Sequence, residues 1–235
     1  MYIHPLFSMM SPMTINNYID HTLLKPFAHE AQYTQLAEEA KEYNFYAICV
    51  PSSWIKHCKG VLQGSNVKIA TVVGFPWGYT ETESKASETL HAVKSGAHEI
   101  DFVTNLSWVK SQKFDLIKRE FNVLRTSAPD SVIKVILETG ALNTDEIEQL
   151  CRLALDAELD FVKTSTGFYE VGAQISAVKT MLSVVGGRVK IKASGGIKTY
   201  EQAQEYIGLG VSRIGCSESV NIFLQSENQK TKTLS

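Results

Sequence analysis

Short apolar runs alternate with longer amphipathic stretches eight times along this chain, and that alternation restricts the fold more than any other feature. Several runs, such as KIATVVG and IKVILE, are β-branched and almost continuously apolar, which is typical of strands covered on both faces. The eight predicted strands are Tyr18–Leu23, Tyr46–Val50, Lys68–Gly74, Glu99–Val103, Ile133–Glu138, Asp160–Ser165, Val189–Ala193 and Arg213–Gly215.

The segments between these runs carry apolar side chains at helical spacing. Glu30–Tyr43, Glu83–Ser95 and Asn143–Ala157 are predicted helices, the last with Asn143 as its N-cap. Eight strand–helix units in 235 residues match the size of an α/β protein built as a single (β/α)₈ TIM barrel. A doubly wound open sheet is the alternative, because periodicity alone does not show whether a sheet closes.

No linker, break in composition or low-complexity segment divides the chain, so we predict one domain over residues 1–235. Residues 1–16 lack the basic and apolar regions of a signal peptide and are expected to form a short arm. Residues 225–235 are polar and are expected to fray. No run of about 18 apolar residues predicts a membrane span.

The net charge of −2 gives no general attraction to nucleic acid or to an anionic membrane. The four cysteines are scattered and the six histidines follow no metal-binding spacing, so the sequence predicts reduced thiols, no metal site and a cytoplasmic protein. Any specificity for an anion must therefore come from a local site.

Polar residues at the ends of the predicted strands are the candidates for chemistry, because a TIM barrel places its active site at the carboxyl ends of its strands. Two lysines are unusual among them, since lysine is seldom buried without a partner. These candidates are Asp20, Thr22, Cys49, Asp101, Glu138, Lys163, Lys192 and Ser194.

Lys163 and Lys192 occupy similar places on adjacent predicted strands. Repulsion between their ammonium groups and partial loss of solvent would both lower a lysine pKa, which produces the neutral amine that attacks a carbonyl. Asp101 could balance the remaining charge and relay protons. The simpler interpretation is a buried ion pair in which one lysine bonds Asp101 or Glu138, and spacing does not decide between the two.

A second pattern predicts anion binding. Gly195 and Gly196 follow the seventh strand, and the segment 214–217 ends the eighth strand and leads into a helix. Phosphate sites in this fold are often built from those two loops and a helix N-terminus. Tight turns also require glycine, so the Gly-Gly pair alone is weak evidence.

At these residues the chain resembles the deoxyribose-phosphate aldolases. The resemblance runs from residue 19 to about 217, and FVKTSTGF together with KASGGIKT is its most specific part. The matching segments are IDHTLLKP (19–26), AICVPSSW (47–54), VVGFPWG (72–78), EIDFVTN (99–105), KVILETG (134–140), FVKTSTGF (161–168), IKASGGIKT (191–199) and RIGCS (213–217).

The resemblance implies a (β/α)₈ fold and reversible joining of acetaldehyde and D-glyceraldehyde 3-phosphate into 2-deoxy-D-ribose 5-phosphate, without a metal or organic cofactor. It assigns the Schiff base to Lys163, the tuning of that lysine to Lys192 and the proton relay to Asp101. It implies substrate contacts for Asp20, Thr22, Cys49 and Thr166, although Cys49 also fits as a small core residue. It implies phosphate binding by Gly167, Gly195, Gly196, Gly215 and Ser217. It also suggests a homodimer.

The segment after the eighth strand departs from the pattern. The family is expected to present small residues there, whereas this chain has Glu218 followed by Ser219. An acidic side chain is also favourable in the first turn of a helix, so Glu218 either points outward or repels phosphate. Two alternatives to the aldolase therefore stay open: a related Schiff-base barrel enzyme that prefers unphosphorylated acceptors, and a non-catalytic barrel that binds a sugar phosphate.

Overall fold

Each predicted strand pairs in parallel with the strands before and after it in the sequence. In the computed structural model, which describes residues 14–233, the last strand also pairs with the first and closes the barrel. The closed TIM barrel is thus confirmed, and the open sheet is excluded. The strands are β1 (Ile19–Thr22), β2 (Ala47–Val50), β3 (Lys68–Val73), β4 (Glu99–Val103), β5 (Val132–Ile136), β6 (Phe161–Lys163), β7 (Lys190–Ser194) and β8 (Arg213–Cys216).

Helices follow the strands and cover the outside of the barrel. They are α1 (Glu30–Glu42), α2 (Ile55–Val61), α3 (Thr82–Ser95), α4 (Leu106–Lys110), α5 (Phe114–Ser127), α6 (Thr144–Asp156), α7 (Ile175–Val185), α8 (Tyr200–Gly208) and α9 (Ser219–Thr233). Short 3₁₀ helices lie at Ile15–Tyr18, Ser52–Trp54 and Thr139–Ala141.

Local sequence explains where two of these helices begin and end. The Asn143 side chain accepts a hydrogen bond from the Glu146 backbone N–H, and the Glu146 carboxylate accepts one from the Asn143 N–H, each at 2.9 Å. This reciprocal capping box satisfies N–H groups that have no partner within α6. Helix α3 ends at Gly96, whose φ of +111° favours glycine.

Side chains alternate between the two faces of each strand, and this separates two environments. Outward side chains such as Ile48, Val135 and Ile191 belong to the large apolar core between strands and helices. A separate small apolar cluster consists of Cys49, Ala70 and Val72. The charged side chains described below fill much of the barrel interior, and this arrangement positions the candidate site.

The described residues near the two ends of the chain contact or extend the barrel structure. Residues 1–13 of the predicted arm lie outside the described residues, but Ile15 is buried in the core and Asn16 bonds the backbone carbonyl oxygens of Tyr43 and Asn44 at 3.2 Å. The segment from residue 225, predicted to fray, continues α9 to Thr233. The buried residues Ile222 and Ser226 pack the first part of α9 against the barrel, and the polar residues that follow continue the same helix. Within residues 14–233, no helix combines the length and apolarity that crossing a bilayer requires.

Candidate active site

The carboxylate of Asp101 lies between three lysines inside the barrel. Its Oδ2 accepts hydrogen bonds from Lys163 Nζ at 2.9 Å and from Lys192 Nζ at 2.8 Å, and its Oδ1 accepts one from Lys134 Nζ at 2.6 Å. Lys163 and Lys192 are direct register partners on β6 and β7, so their side chains project from the barrel wall side by side. The predicted juxtaposition of the two lysines and Asp101 is present.

Further contacts extend this cluster toward the other end of the barrel. Lys192 also pairs with Asp20, Arg213 Nη1 lies 2.9 Å from the other oxygen of Asp20, and Lys134 Nζ lies 2.5 Å from Glu99 Oε2. Arg213 Nη1 also lies 3.3 Å from Glu99 Oε2, and this contact links the Asp20 side of the cluster to the Lys134 side. We call these seven side chains, all at most 7% exposed, the charge network: Asp20, Glu99, Asp101, Lys134, Lys163, Lys192 and Arg213.

The pKa values of Lys163 and Lys192 are shifted in opposite directions within the charge network. Burial lowers the pKa of Lys163 below the ordinary lysine value; Asp101 opposes this effect, and the neighbouring Lys192 adds to it. Burial also disfavours the charge on Lys192, but Asp101 and Asp20 outweigh it and raise the pKa of that lysine. Lys192 is therefore held as an ammonium, while Lys163 is biased toward the neutral amine.

Two carboxylates of the network, Asp101 and Asp20, remain charged. Burial alone would raise the pKa of Asp101, but Lys134, Lys163 and Lys192 bring it well below its usual range. Burial likewise opposes the charge on Asp20, whose neighbouring cations lower its pKa to about 2. Asp101 is therefore a hydrogen-bond acceptor at neutral pH.

A cavity of about 450 Å³ opens above the network at the carboxyl ends of the strands. Lys163 lines it, whereas Lys192 and Asp101 lie beneath its floor. Lys163 thus combines access to a small molecule with a surface exposure of only 3%. That combination suits an amine that must stay uncharged and yet reach a carbonyl.

The four predicted substrate-binding residues separate into two groups. Thr22 and Thr166 line the cavity. Asp20 and Cys49 are fully buried and do not line it, because Asp20 bonds Lys192 and Arg213 while Cys49 packs with Ala70 and Val72. Burial also raises the pKa of the Cys49 thiol, so it stays protonated.

The five predicted phosphate-binding residues all line one side of the cavity: Gly167, Gly195, Gly196, Gly215 and Ser217. Gly195 has a φ of +90°, a conformation that glycine adopts without strain. Gly215 has another reason to be glycine, since a Cβ there would lie 2.9 Å from Lys192 Cε. That glycine makes room for the lysine side chain and also contributes to the cavity wall.

Glu138 does not pair with a lysine as the ion-pair interpretation allowed. Its carboxylate accepts hydrogen bonds from the Thr166 hydroxyl at 2.5 Å and from the Thr166 N–H at 3.2 Å, and burial raises its pKa. Glu138 therefore holds the loop after β6, which carries Thr166 and Gly167 into the cavity wall.

Glu218 is exposed and lines the cavity immediately before α9. Ser219 is buried, and its hydroxyl donates to the Cys216 carbonyl oxygen at 3.1 Å. Exposed Lys198 lines the same cavity from the loop after β7. The rim therefore carries charges of both signs.

Sequence reasoning missed three members of the network, namely Glu99, Lys134 and Arg213. They lie at the start or in the middle of their strands rather than at the carboxyl ends, and a charged residue within or beside an apolar run was the available signal. It also missed Lys198 and His21 on the cavity wall; the His21 ring pairs with Glu39 at 2.8 Å. Among residues 14–233, no group of three or more His, Cys, Asp or Glu side chains is placed to hold a metal ion.

Comparison with known proteins identifies the family of the chain. A sequence model described as DeoC/LacD family aldolase matches residues 14–223. The deoxyribose-phosphate aldolase of Mycoplasma capricolum is 44% identical over 215 residues, which cover 92% of this chain and 97% of the relative. The chain therefore belongs to the DeoC/LacD aldolase family.

Two solved structures are similar as well. The putative deoxyribose-phosphate aldolase of Coccidioides immitis superposes with a TM-score of 0.89 at 37% identity, covering 92% of this chain and 87% of that one. The deoxyribose phosphate aldolase of Aeropyrum pernix, described as a tetramer, gives a TM-score of 0.83 at 30% identity and covers 94% and 92%. These three relatives, each of which matches most of the chain, carry deoxyribose-phosphate aldolase names.

Proposed function

We propose that this protein is a class I aldolase that reversibly cleaves 2-deoxy-D-ribose 5-phosphate to acetaldehyde and D-glyceraldehyde 3-phosphate through a Schiff base on Lys163. The observation that carries the proposal is the position of Lys163, a buried amine with a lowered pKa at the floor of an open cavity. The family and the names of its members support the choice of substrate.

The neutral Nζ of Lys163 attacks the aldehyde carbon C1, and loss of water leaves a protonated imine. This cation accepts the electron pair of the C2–C3 bond once the C3 hydroxyl gives up its proton, and D-glyceraldehyde 3-phosphate departs. The remaining enamine takes a proton at C2. Water then hydrolyses the imine to acetaldehyde and regenerates Lys163, so covalent catalysis replaces one difficult step by several easier ones.

Asp101 and Lys192 are the proposed proton carriers, acting through water. Lys192 is an ammonium that can donate, and Asp101 is a carboxylate that can accept. They lie beneath Lys163, and Asp101 Oδ2 accepts hydrogen bonds from both Lys163 and Lys192, so a proton can move between these groups without a change in backbone structure. Both therefore act next to the nitrogen on which the intermediates form.

The wall of the cavity provides the proposed substrate contacts. Thr22 and Thr166 are placed to contact sugar hydroxyls, and the glycine-rich side is placed to receive the phosphate. We assign Asp20 and Cys49 a supporting role under the floor, because neither side chain is exposed to the cavity. Phosphate binding is assigned to Gly167, Gly195, Gly196, Gly215 and Ser217.

A retro-aldol assay tests the proposal directly. Purified protein incubated with 2-deoxy-D-ribose 5-phosphate and a strong chelator should release acetaldehyde, measured by coupled reduction to ethanol. The rate should be the same with and without the chelator, because the proposed route needs no metal. Absence of acetaldehyde would reject the aldolase and favour the non-catalytic sugar-phosphate-binding barrel.

Glu218 supports a second candidate, an aldolase of the same mechanism that prefers unphosphorylated substrates. Glu218 lines the cavity where a helix N-terminus would otherwise favour an anion. If Glu218 repels phosphate, Glu218→Ser should raise the ratio of kcat/KM for deoxyribose 5-phosphate over deoxyribose about tenfold, which corresponds to about 1.4 kcal/mol. An unchanged ratio would mean that Glu218 points away from the bound substrate. Glu227→Ser, on the exposed side of α9, is the matched control.

Assembly and location complete the proposal. We propose that the protein is a homodimer. We also propose that it is located in the cytoplasm, because its four buried free cysteines are typical of a reducing compartment. The tetramer described for the Aeropyrum pernix relative shows that members of this family assemble. Sedimentation equilibrium distinguishes a monomer, a dimer and a tetramer.

A further inference from the structure

Six members of the charge network form a closed ring in which carboxylates and cations alternate. Asp101 contacts Lys134, Lys134 contacts Glu99, and Glu99 contacts Arg213. Arg213 contacts Asp20, Asp20 contacts Lys192, and Lys192 returns to Asp101. Every step is a direct ion pair between nearly inaccessible side chains.

The ring is electrically balanced on its own. Three carboxylates face three cations, and each member has a partner of opposite charge on both sides. Lys163 is attached from outside the ring, through its one contact with Asp101 Oδ2. Among the described residues of the network, a protonated Lys163 is therefore a surplus cation in a buried site, and such a charge is costly.

We propose that Lys134, Glu99 and Arg213 are positioning residues for the aldolase reaction, because they complete the balanced ring that leaves Lys163 uncharged without touching the cavity. The effect of these residues on catalysis rests on the proposed function, whereas the test described below measures the pKa of Lys163 and does not require activity. In this proposal the pKa of Lys163 depends on residues at the far side of the barrel interior as well as on its neighbour Lys192.

The groups that face Lys163 leave few other sources of this effect. Asp101 on β4 and Lys192 on β7 are ring members, whereas Cys49 on β2 carries a thiol whose pKa is raised by burial. Glu138, after β5, is bonded to Thr166, and burial raises its pKa. The balance of charge within the ring is therefore the main variable that a substitution can change.

Two substitutions should move the titration of Lys163 in opposite directions. Lys134→Met leaves the ring with one negative charge in excess, so a proton on Lys163 becomes favourable and its pKa should rise. Glu99→Gln leaves one positive charge in excess, so the pKa should fall. Each shift should reach about one pH unit or more, as expected for a unit charge several ångströms away inside a protein.

The measurement is an NMR titration of protein labelled with ¹³C at lysine Cε, in which the Lys163 resonance is identified by its loss in Lys163→Leu. The double variant Glu99→Gln, Lys134→Met restores the balance of the ring, and its Lys163 pKa should return close to the wild-type value. Lys85→Met is the matched control, because it breaks an equally buried Lys85–Glu120 pair, 2.9 Å long, outside the barrel. It should leave the titration unchanged.

Opposite shifts in the single variants and recovery in the double variant support the ring. Shifts in the same direction, or no shift, overturn it. If Lys134→Met does not fold, the comparison of Glu99→Gln with the double variant still tests the ring. The Lys163 pKa should fall in Glu99→Gln and return toward the wild-type value in the double variant, and any other result contradicts the ring. Since the titration does not depend on turnover, an inactive wild-type protein would reject the proposed function and still permit a result for the ring.

Discussion

Lys163→Leu should reduce retro-aldol turnover by a factor on the order of 10⁴ or more while leaving the folded protein as stable as the wild type. The loss of rate follows because no other amine among the described residues that line the cavity is buried, and an exposed ammonium does not attack an aldehyde at neutral pH. Stability is retained because Lys163 lies outside the ring, so its replacement leaves all six ion pairs of the ring intact. Steady-state kinetics and thermal unfolding measure the two effects.

Lys190→Leu is the matched control for that substitution. Lys190 lies two residues before Lys192 on β7, but it is exposed at the amino end of the strand and does not line the cavity. Its replacement should leave turnover close to that of the wild type. Retention of more than about a hundredth of the wild-type rate in Lys163→Leu would contradict a covalent role for Lys163.

Lys192→Leu should lower kcat about 10²- to 10³-fold, with a smaller effect on KM. Lys192 is a ring member, so its loss leaves the ring with one negative charge in excess and favours a protonated Lys163. The acid limb of the pH–rate profile should therefore move to higher pH, because the neutral amine is present only above the Lys163 pKa. This limb is measured by determining kcat across pH.

The same substitution should also destabilise the fold, unlike Lys163→Leu. Asp20 and Asp101 each lose a buried partner, and breaking such a pair typically costs about 3–5 kcal/mol. Urea unfolding measures this loss, with Lys85→Leu as a control that breaks a buried pair far from the cavity and should keep the wild-type acid limb. If Lys192→Leu kept the wild-type acid limb, the proposed tuning of Lys163 would be wrong.

The barrel could be predicted from sequence because its strands are covered on both faces and therefore form continuous apolar runs. The predicted strand Glu99–Val103 coincides with β4, and Val189–Ala193 differs from β7 by one residue at each end. Closure could not be predicted, since it depends on the pairing of Asp20 with Gly215 across almost the whole chain. The end of α9 was missed because its polar sequence carries no apolar periodicity.

The active-site lysines could be predicted for a related reason. Lys163 and Lys192 stand out at the ends of apolar runs, and parallel register places them side by side. What the sequence did not reveal is that Asp101 lies between their amines. As a result, burial contributes most to lowering the pKa of Lys163, and the repulsion between the two lysines is a smaller effect.

The remaining charges were overlooked because Glu99, Lys134 and Arg213 lie in the middle or at the start of strands. A search restricted to strand ends excludes them. Glu99 and Asp101 are two residues apart on one strand, so they face the same side of the sheet, and that spacing could have indicated a second layer of charge inside the barrel. Which cation each carboxylate meets depends on three-dimensional packing.

The central claim is that Lys163 is an uncharged, accessible amine at neutral pH, and covalent trapping tests it most directly. Protein treated with acetaldehyde and borohydride at neutral pH should gain one ethyl group, which peptide mapping should place on Lys163. Modification confined to exposed lysines such as Lys198 or Lys25, with Lys163 unmodified, would contradict the account.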